Sequence, residues 1–502
     1  MSLTESLAQS VARSGITAGD ATAHSLGKAL AAGTVTAAEL TSFYLDRIER
    51  LNPGLRAVIT VSADAQAEAT ASDARRSAGA IRGPLDGIGV LIKDNVSAAG
   101  LAATAGSPAL QQAAATDAFL VARLRSAGAV ILGKANLSEW ANFRSRPSSS
   151  GLSTLGGQAV NPHGTGRSPS GSSSGSAVAV AAGLAPLAIG TETDGSIVSP
   201  AGACGVVGIK PTLGLVSRHG IVPISAVQDT AGPMTKTVAD AALLLTAIAG
   251  ADTADPATEA AARHATDYAA FLDPAALDGA RLGVWRAGST LADGATVAVL
   301  ETALATMRQQ GAQITDPVEL ADVDKMADPE FAALTHEFKH DINAYLAGLG
   351  GDHPADLAGL IEFNNRHAAE VLAHFGQELF VQAEATSGDL GEAGYLEARS
   401  TASRIARDAL DVAFTESSLD AVIALTGHPA WLTDHVLGDY HGWGTSGPAA
   451  VSGYPAISVP AGLVSGLPVG ISFMGPAWSE PRLVALAHAF EIGRSASTAA
   501  GR

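Results

Sequence analysis

Residues 170–197 read SGSSSGSAVAVAAGLAPLAIGTETDGSI, and this stretch narrows most sharply what the chain can fold into. Two Gly/Ser turns bracket a small-residue run, Ser176 to Gly183, predicted as a helix, and a strand predicted over Pro186 to Gly190. Small residues let backbone amides approach a ligand closely, and successive N–H groups in such turns make an anion-binding nest. A flexible Gly/Ser linker is not interleaved with an apolar helix and strand. A phosphate cradle would need Walker spacing or a complete GxGxxG, and neither is present.

The remaining chain alternates helical and extended runs. Thr36-Ala37-Ala38-Glu39 is a capping box, followed by Leu40, Phe43, Tyr44, Ile48 and Leu51 at helical spacing; this helix is expected to stop at Asn52-Pro53. An extended run over Arg56 to Val61, an Ala-rich helix through the 60s and 70s, and a buried strand from Ile88 to Lys93 follow. Phe119 to Ala127, Gly128, and Ala129 to Leu132 read as helix, C-cap and strand; Leu282 to Trp285 and Leu419 to Leu425 continue the extended runs. The pattern predicts an α/β fold with a mostly buried sheet. With no repeats and no long linker, one large domain over 1–502 is expected, with a helical elaboration around the site at about 300–450. The acidic, Ala-rich stretch Gly250 to Thr266 reads as a surface excursion.

A hydrophobic fraction of 47% with 16% charged residues excludes disorder. The formal charge of -18 argues against nucleic acid, whose phosphates need a basic surface, and against anionic membranes. The single cysteine, Cys204, allows neither an intrachain disulfide nor a Cys-rich metal site and fits a reducing compartment. Residues 1–15 lack a basic segment followed by an apolar one, so no signal peptide is expected and a cytoplasmic location is, with secretion of a processed form left open. Apolar runs are interrupted well before the roughly 18 residues of a membrane span.

Seven lysines stand against 24 arginines. One of the seven, Lys93, ends the apolar run Ile88-Gly89-Val90-Leu91-Ile92. Desolvation lowers a lysine pKa, and a neutral amine is a competent base. A salt-bridged structural lysine is the other reading of that position.

The Gly/Ser run, with Gly205-Val206-Val207-Gly208-Ile209-Lys210-Pro211-Thr212 after it, resembles the amidase signature. LIKDN at 91–95 resembles the lysine strand of that family, and Gly466-Leu467-Pro468-Val469-Gly470 its C-terminal strand motif. The likeness runs from about residue 20 to 495, with the signature core at about 80–240. GTETDGSI, SEWANF at 138–143 and QDTAGPM at 228–234 look particularly like the bacterial peptide amidases, which deamidate C-terminally amidated peptides.

The resemblance implies a single large domain, with a central mixed sheet covered by helices on both faces. It implies a Ser–cisSer–Lys triad of Ser196 as nucleophile, Ser172 after a cis peptide bond, and Lys93. The backbone N–H groups of Thr193, Asp194, Gly195 and Ser196 take the place of the oxyanion hole, and Ser173 that of a residue hydrogen-bonded to Lys93. The expected reaction is hydrolysis of a carboxamide to acid and ammonia through an acyl-enzyme, on peptide or amino-acid amides or on a broader range of small aliphatic and aromatic amides. No cofactor or metal is expected, the partner being a small-molecule or peptide amide, and the chain a monomer or homodimer. Three positions depart from many members: Glu192 stands for Asp, Asp194 for Gly, and Val198 for an Arg after GSI. The missing Arg weakens assignment to the glutaminase subunit of a tRNA amidotransferase.

Two other motifs compete. His336-Glu337-Phe338-Lys339-His340 is a literal HExxH, in which two histidines hold zinc and the glutamate serves as general base. Lys339 would set a cation inside it, and no third ligand stands out, although Glu362 and His367 lie downstream. Gly171-Ser172-Ser173-Ser174-Gly175 satisfies GxSxG, with Ser173 as nucleophile, but the segment before it reads as loop rather than strand. His428, His435 and His441 lie in a loop-like stretch near Gly and Trp, as surface or cavity-wall residues.

Overall fold

A computed structural model describes residues 21–500 apart from His441; the side chains of Ser289 and of 497–500 are not described. The N-terminal segment read for a signal peptide therefore lies outside the described residues, as does His441.

The eleven strands of the central sheet are β1 (Val58–Val61), β2 (Gly89–Lys93), β3 (Val130–Ala135), β4 (Leu187–Glu192), β5 (Val207–Lys210), β6 (Thr230–Thr235), β7 (Arg281–Trp285), β8 (Gln313–Val318), β9 (Ala421–Leu425), β10 (Ala456–Val464) and β11 (Leu467–Met474). Their spatial order is β1-β3-β2-β4-β6-β5-β10-β11-β9-β7-β8. The sheet is mixed: β2 runs parallel to β3 and β4, and β7 parallel to β8 and β9, while the other neighbours are antiparallel. Strands β2, β3, β4 and β9 are buried along their whole length, which is why they read as continuous apolar runs.

The six helices that matter for the site and its supports are α1 (Ala37–Leu55), α2 (Ser174–Ala181), α3 (Val198–Cys204), α4 (Ala327–Gly348), α5 (Ala393–Glu416) and α6 (Gly447–Ser452). Alternate residues of β9 show that both faces are covered. Ala421, Ile423 and Leu425 join the main core with Leu300, Leu304, Leu483 and Phe490 of the helices at 294–309 and 480–500. Val422 and Ala424 join a second cluster with Leu410 and Phe414 of α5 and Ala449 of α6. Away from the sheet, α4 buries Phe338 and Leu346 against Trp140, Phe143 and Phe380. The chain between 300 and 450 thus holds two strands of the central sheet, β8 and β9, as well as helices.

The capping box closes both ways: Glu39 N–H donates to Thr36 Oγ1, and Glu39 Oε2 accepts from Thr36 N–H. Helix α1 does not stop at Asn52-Pro53 but runs on to Leu55. Pro53 falls where it interrupts little, and the stop is made instead by the Asn52 side chain, which accepts from Ala57 and Val58 N–H at 2.8 and 2.9 Å, with Arg56 in the left-handed region at φ 49°. Helix α2 likewise starts two residues earlier than predicted and β4 extends to Glu192. Gly175 explains the small residues of α2: a Cβ there would collide with the Ala57 carbonyl and the Asn136 backbone. The 250–266 stretch is more tethered than a free excursion, since Arg218 pairs with Asp255 and Ser217 Oγ donates to Asp252 at 2.7 Å. Among the described residues no helix is long and apolar enough to cross a membrane.

Candidate active site

The site is made by two neighbouring parallel strands. Leu91 pairs with Ala188 and Ile92 with Ile189, so Lys93, the last residue of β2, lies beside the C-terminal end of β4. Lys93 is fully buried, and its Nζ donates to Thr191 Oγ1 at 2.8 Å and Thr191 O at 3.1 Å, and lies 2.7 Å from Ser172 Oγ. Among the described residues no carboxylate bonds it. Burial pushes its amine down to about 7, against the weaker opposing pull of Asp229 and Glu192. Lys134, also buried, is held instead in an ion pair with Asp94 at 3.4 Å.

Ser172 follows a cis peptide bond from Gly171 and is fully buried. Its carbonyl accepts from Ser138 N–H at 3.0 Å. The next residue ties this loop to the second turn, with Ser173 N–H donating to Ser196 O at 3.1 Å. The Ser173 hydroxyl does not bond Lys93, as the resemblance implied. It donates to Thr191 O at 3.0 Å, the carbonyl that also accepts from Lys93, because its position at the start of α2 points it at the backbone of β4. Thr191, with Asn95 Nδ2 donating to its hydroxyl at 3.0 Å, is the contact that sequence reasoning missed. Both lie inside the quoted motifs GTETDGSI and LIKDN, but nothing in the spacing marks either as a lysine ligand.

The second turn, 193–196, carries Ser196 to the wall of a cavity of about 750 Å³. Gly195 has φ 75°, and a Cβ there would also meet Ser446 Oγ at 2.8 Å. The turn is held from three sides. Glu192 Oε2 accepts from Ile197 and Val198 N–H at 2.7 and 3.0 Å; burial raises this carboxyl's pKa, while Lys210 opposes the shift. Thr193 Oγ1 donates to Asp229 at 2.5 Å, and Gln228 Nε2 to Thr193 O at 3.0 Å. The N–H groups of Thr193, Gly195 and Ser196 donate to no backbone carbonyl of the described residues.

The departures from the family pattern now have places. Asp194 faces the cavity and accepts from Ser446 Oγ at 2.5 Å. Val198 is buried in an apolar cluster with Trp285, Phe414 and Ala449, where a guanidinium would have to be desolvated. Trp285, Trp431, Trp443 and His428 also line the cavity, whereas His435 lies at a second, smaller one beside His374.

The two competing motifs are corrected by their surroundings. On α4 His336 is half-buried and His340 exposed, each with Nδ1 on a main-chain carbonyl, Ala332 O and Gly388 O. Glu337 is fully buried in a bidentate pair with Arg399 at 2.7 and 2.5 Å. Among the described residues no group of three His, Cys, Asp or Glu side chains, Glu362 and His367 included, is placed to hold a metal ion. The GxSxG serine, Ser173, is fully buried and bonded to the main chain, preceded by loop rather than strand.

The chain matches the amidase family over residues 39–484 and belongs to it. It is a hydrolase acting on amides. It is similar to the native peptide amidase of Stenotrophomonas maltophilia, 49% identical with a TM-score of 0.90 over 94% of this chain and 96% of that one. A probable amidase of Arabidopsis thaliana is 42% identical over 469 residues, covering 91% of this chain and 86% of the relative. One subunit of the glutamyl-tRNA(Gln) amidotransferase of Symbiobacterium thermophilum is 35% identical over 480 residues, covering 93% and 95%.

Proposed function

We propose that the protein hydrolyses the terminal carboxamide of peptide amides or amino-acid amides to acid and ammonia, through an acyl-enzyme on Ser196. The observation that carries this reading is the 2.7 Å contact between Lys93 Nζ and Ser172 Oγ in a site where burial favours the neutral amine. Ser196 Oγ attacks the amide carbonyl while its proton passes to Ser172, whose own proton moves to Lys93. The N–H groups of Thr193 to Ser196 receive the oxygen as it gains charge. Collapse expels ammonia, Lys93 and Ser172 returning the proton to the leaving nitrogen. Water then enters by the reverse path, its proton passing to the relay as its oxygen attacks the acyl carbon. Ser196 leaves as the hydroxyl and the carboxylic acid is released.

The similarity to a peptide amidase and the cavity size favour a peptide-sized acyl group over a small aliphatic or aromatic one. Its wall takes residues from 141–150, from 323–330 and from 426–448, and we assign the acyl-side discrimination to these segments within one domain. The amidotransferase likeness makes glutamine the substrate to test against. The deciding experiment is ammonia release from glutamine, small aliphatic amides, free amino-acid amides, N-acylated amino-acid amides and dipeptide amides. The reading requires amino-acid or peptide amides, free or N-capped, to have the highest kcat/KM. Preference for glutamine or for small aliphatic amides would overturn it.

A further inference from the structure

Glu337 has no place in the relay, yet it heads a buried chain of hydrogen bonds that ends on the nucleophile's turn. Besides Arg399, it accepts from Tyr395 OH at 2.9 Å and Ser225 Oγ at 2.6 Å. Arg399 Nη1 donates to Gln228 Oε1 at 2.9 Å. This orients the Gln228 amide, for a guanidinium offers only donors and must face the amide oxygen. The amide nitrogen is thereby turned toward two acceptors, Thr193 O at 3.0 Å and Glu330 Oε1 at 2.6 Å. The flipped amide would set donor against donor on one side and acceptors against acceptors on the other. One orientation is allowed.

Thr193 O belongs to the same planar peptide unit as the N–H of Asp194, and in a trans unit the two point in opposite directions. Whatever holds the carbonyl aims the N–H. We infer that Gln228 is a positioning residue for the Ser196 turn, its amide set by the Glu337–Arg399 pair so that the Thr193–Asp194 peptide is held ready for the developing oxyanion. This rests on the reading of that turn as the oxyanion site.

The test compares wild type with Gln228→Glu, which keeps the shape but loses the donor, and Gln228→Leu, which loses both polar ends. A peptide aldehyde adds the Ser196 hydroxyl across its carbonyl to give a hemiacetal, placing an oxygen at the turn; the matching peptide alcohol cannot. Removing an oxyanion donor outright costs about 10²–10³ in kcat, so misaiming one should cost about 10–100-fold. The expected result is that loss in kcat with KM within about threefold, an equal loss in aldehyde affinity, and unchanged alcohol affinity. The ratio of the two affinities does not depend on the fraction of folded enzyme, so a destabilised variant still reports. Unchanged kcat, or aldehyde and alcohol affinities weakening together, would overturn the inference. A wild-type enzyme that binds aldehyde and alcohol equally would overturn the reading of the turn itself.

Discussion

Lys93 Nζ lies 2.7 Å from Ser172 Oγ, and its other contacts are the hydroxyl and carbonyl of Thr191 rather than any carboxylate of the described residues. A lysine held in this way gives up its proton far more readily than one in an ion pair, because neutral acceptors and carboxylates beyond hydrogen-bond reach repay only part of the desolvation of its charge. The pH dependence of turnover follows from that difference.

The folded amine is pushed down to about 7 from an ordinary 10.5, and the neutral form accepts the proton. Hydrolysis of a peptide amide should therefore rise as pH increases through about 7, and persist above pH 8; activity is lost as protonation sets in below 7. Lys93→Ala should cost several orders of magnitude. Lys93→Arg should cost nearly as much, since a guanidinium stays protonated throughout this range. Near-normal rates in Lys93→Arg with an unchanged profile would make the lysine a structural charge.

Thr191 should tune that profile. Its hydroxyl accepts from both Lys93 and Asn95, so Thr191→Val removes an acceptor that favours the cation. The sign is then fixed: the lysine pKa falls further, and the acid limb of kcat/KM should move to lower pH. Leaving the buried Asn95 amide without that partner should also cost about 1–3 kcal/mol of stability. A limb that stays in place in a folded Thr191→Val enzyme would show that another group governs it.

The histidines of the HExxH motif each engage a main-chain carbonyl, while Glu337 is held by Arg399. Activity should survive exhaustive chelation, and the double variant His336→Ala, His340→Ala should keep kcat/KM within about threefold. Turnover abolished by chelation and restored by zinc would contradict the hydrolytic mechanism given above.

The buried strands and the capping box were legible in the sequence because local physics dominates there: apolar runs mark β2, β4 and β9, and Thr36 and Glu39 are close in the chain. Lys93, Ser172 and Ser196 were legible as motif residues, but their geometry was not. Distant contacts were silent. Nothing in HExxH spacing tells a zinc ligand set from a glutamate whose partner, Arg399, stands 62 residues away. The same holds for Gln228, which appeared only inside a quoted motif, and for Ser173, whose hydroxyl turned to the β4 carbonyl rather than the lysine beside it. Pro53 misled because a helix stop was read from the proline when Asn52 and Arg56 make it.

The central claim is that Ser196 carries the acyl group. Mixing the enzyme with a slowly hydrolysed activated ester of an N-acyl amino acid, quenching in acid and mapping the adduct by peptide mass spectrometry tests it most directly. The expected result is a single acyl adduct on Ser196, absent in Ser196→Ala and formed far more slowly in Lys93→Ala. An adduct on Ser173, or undiminished acylation in Ser196→Ala, would contradict it.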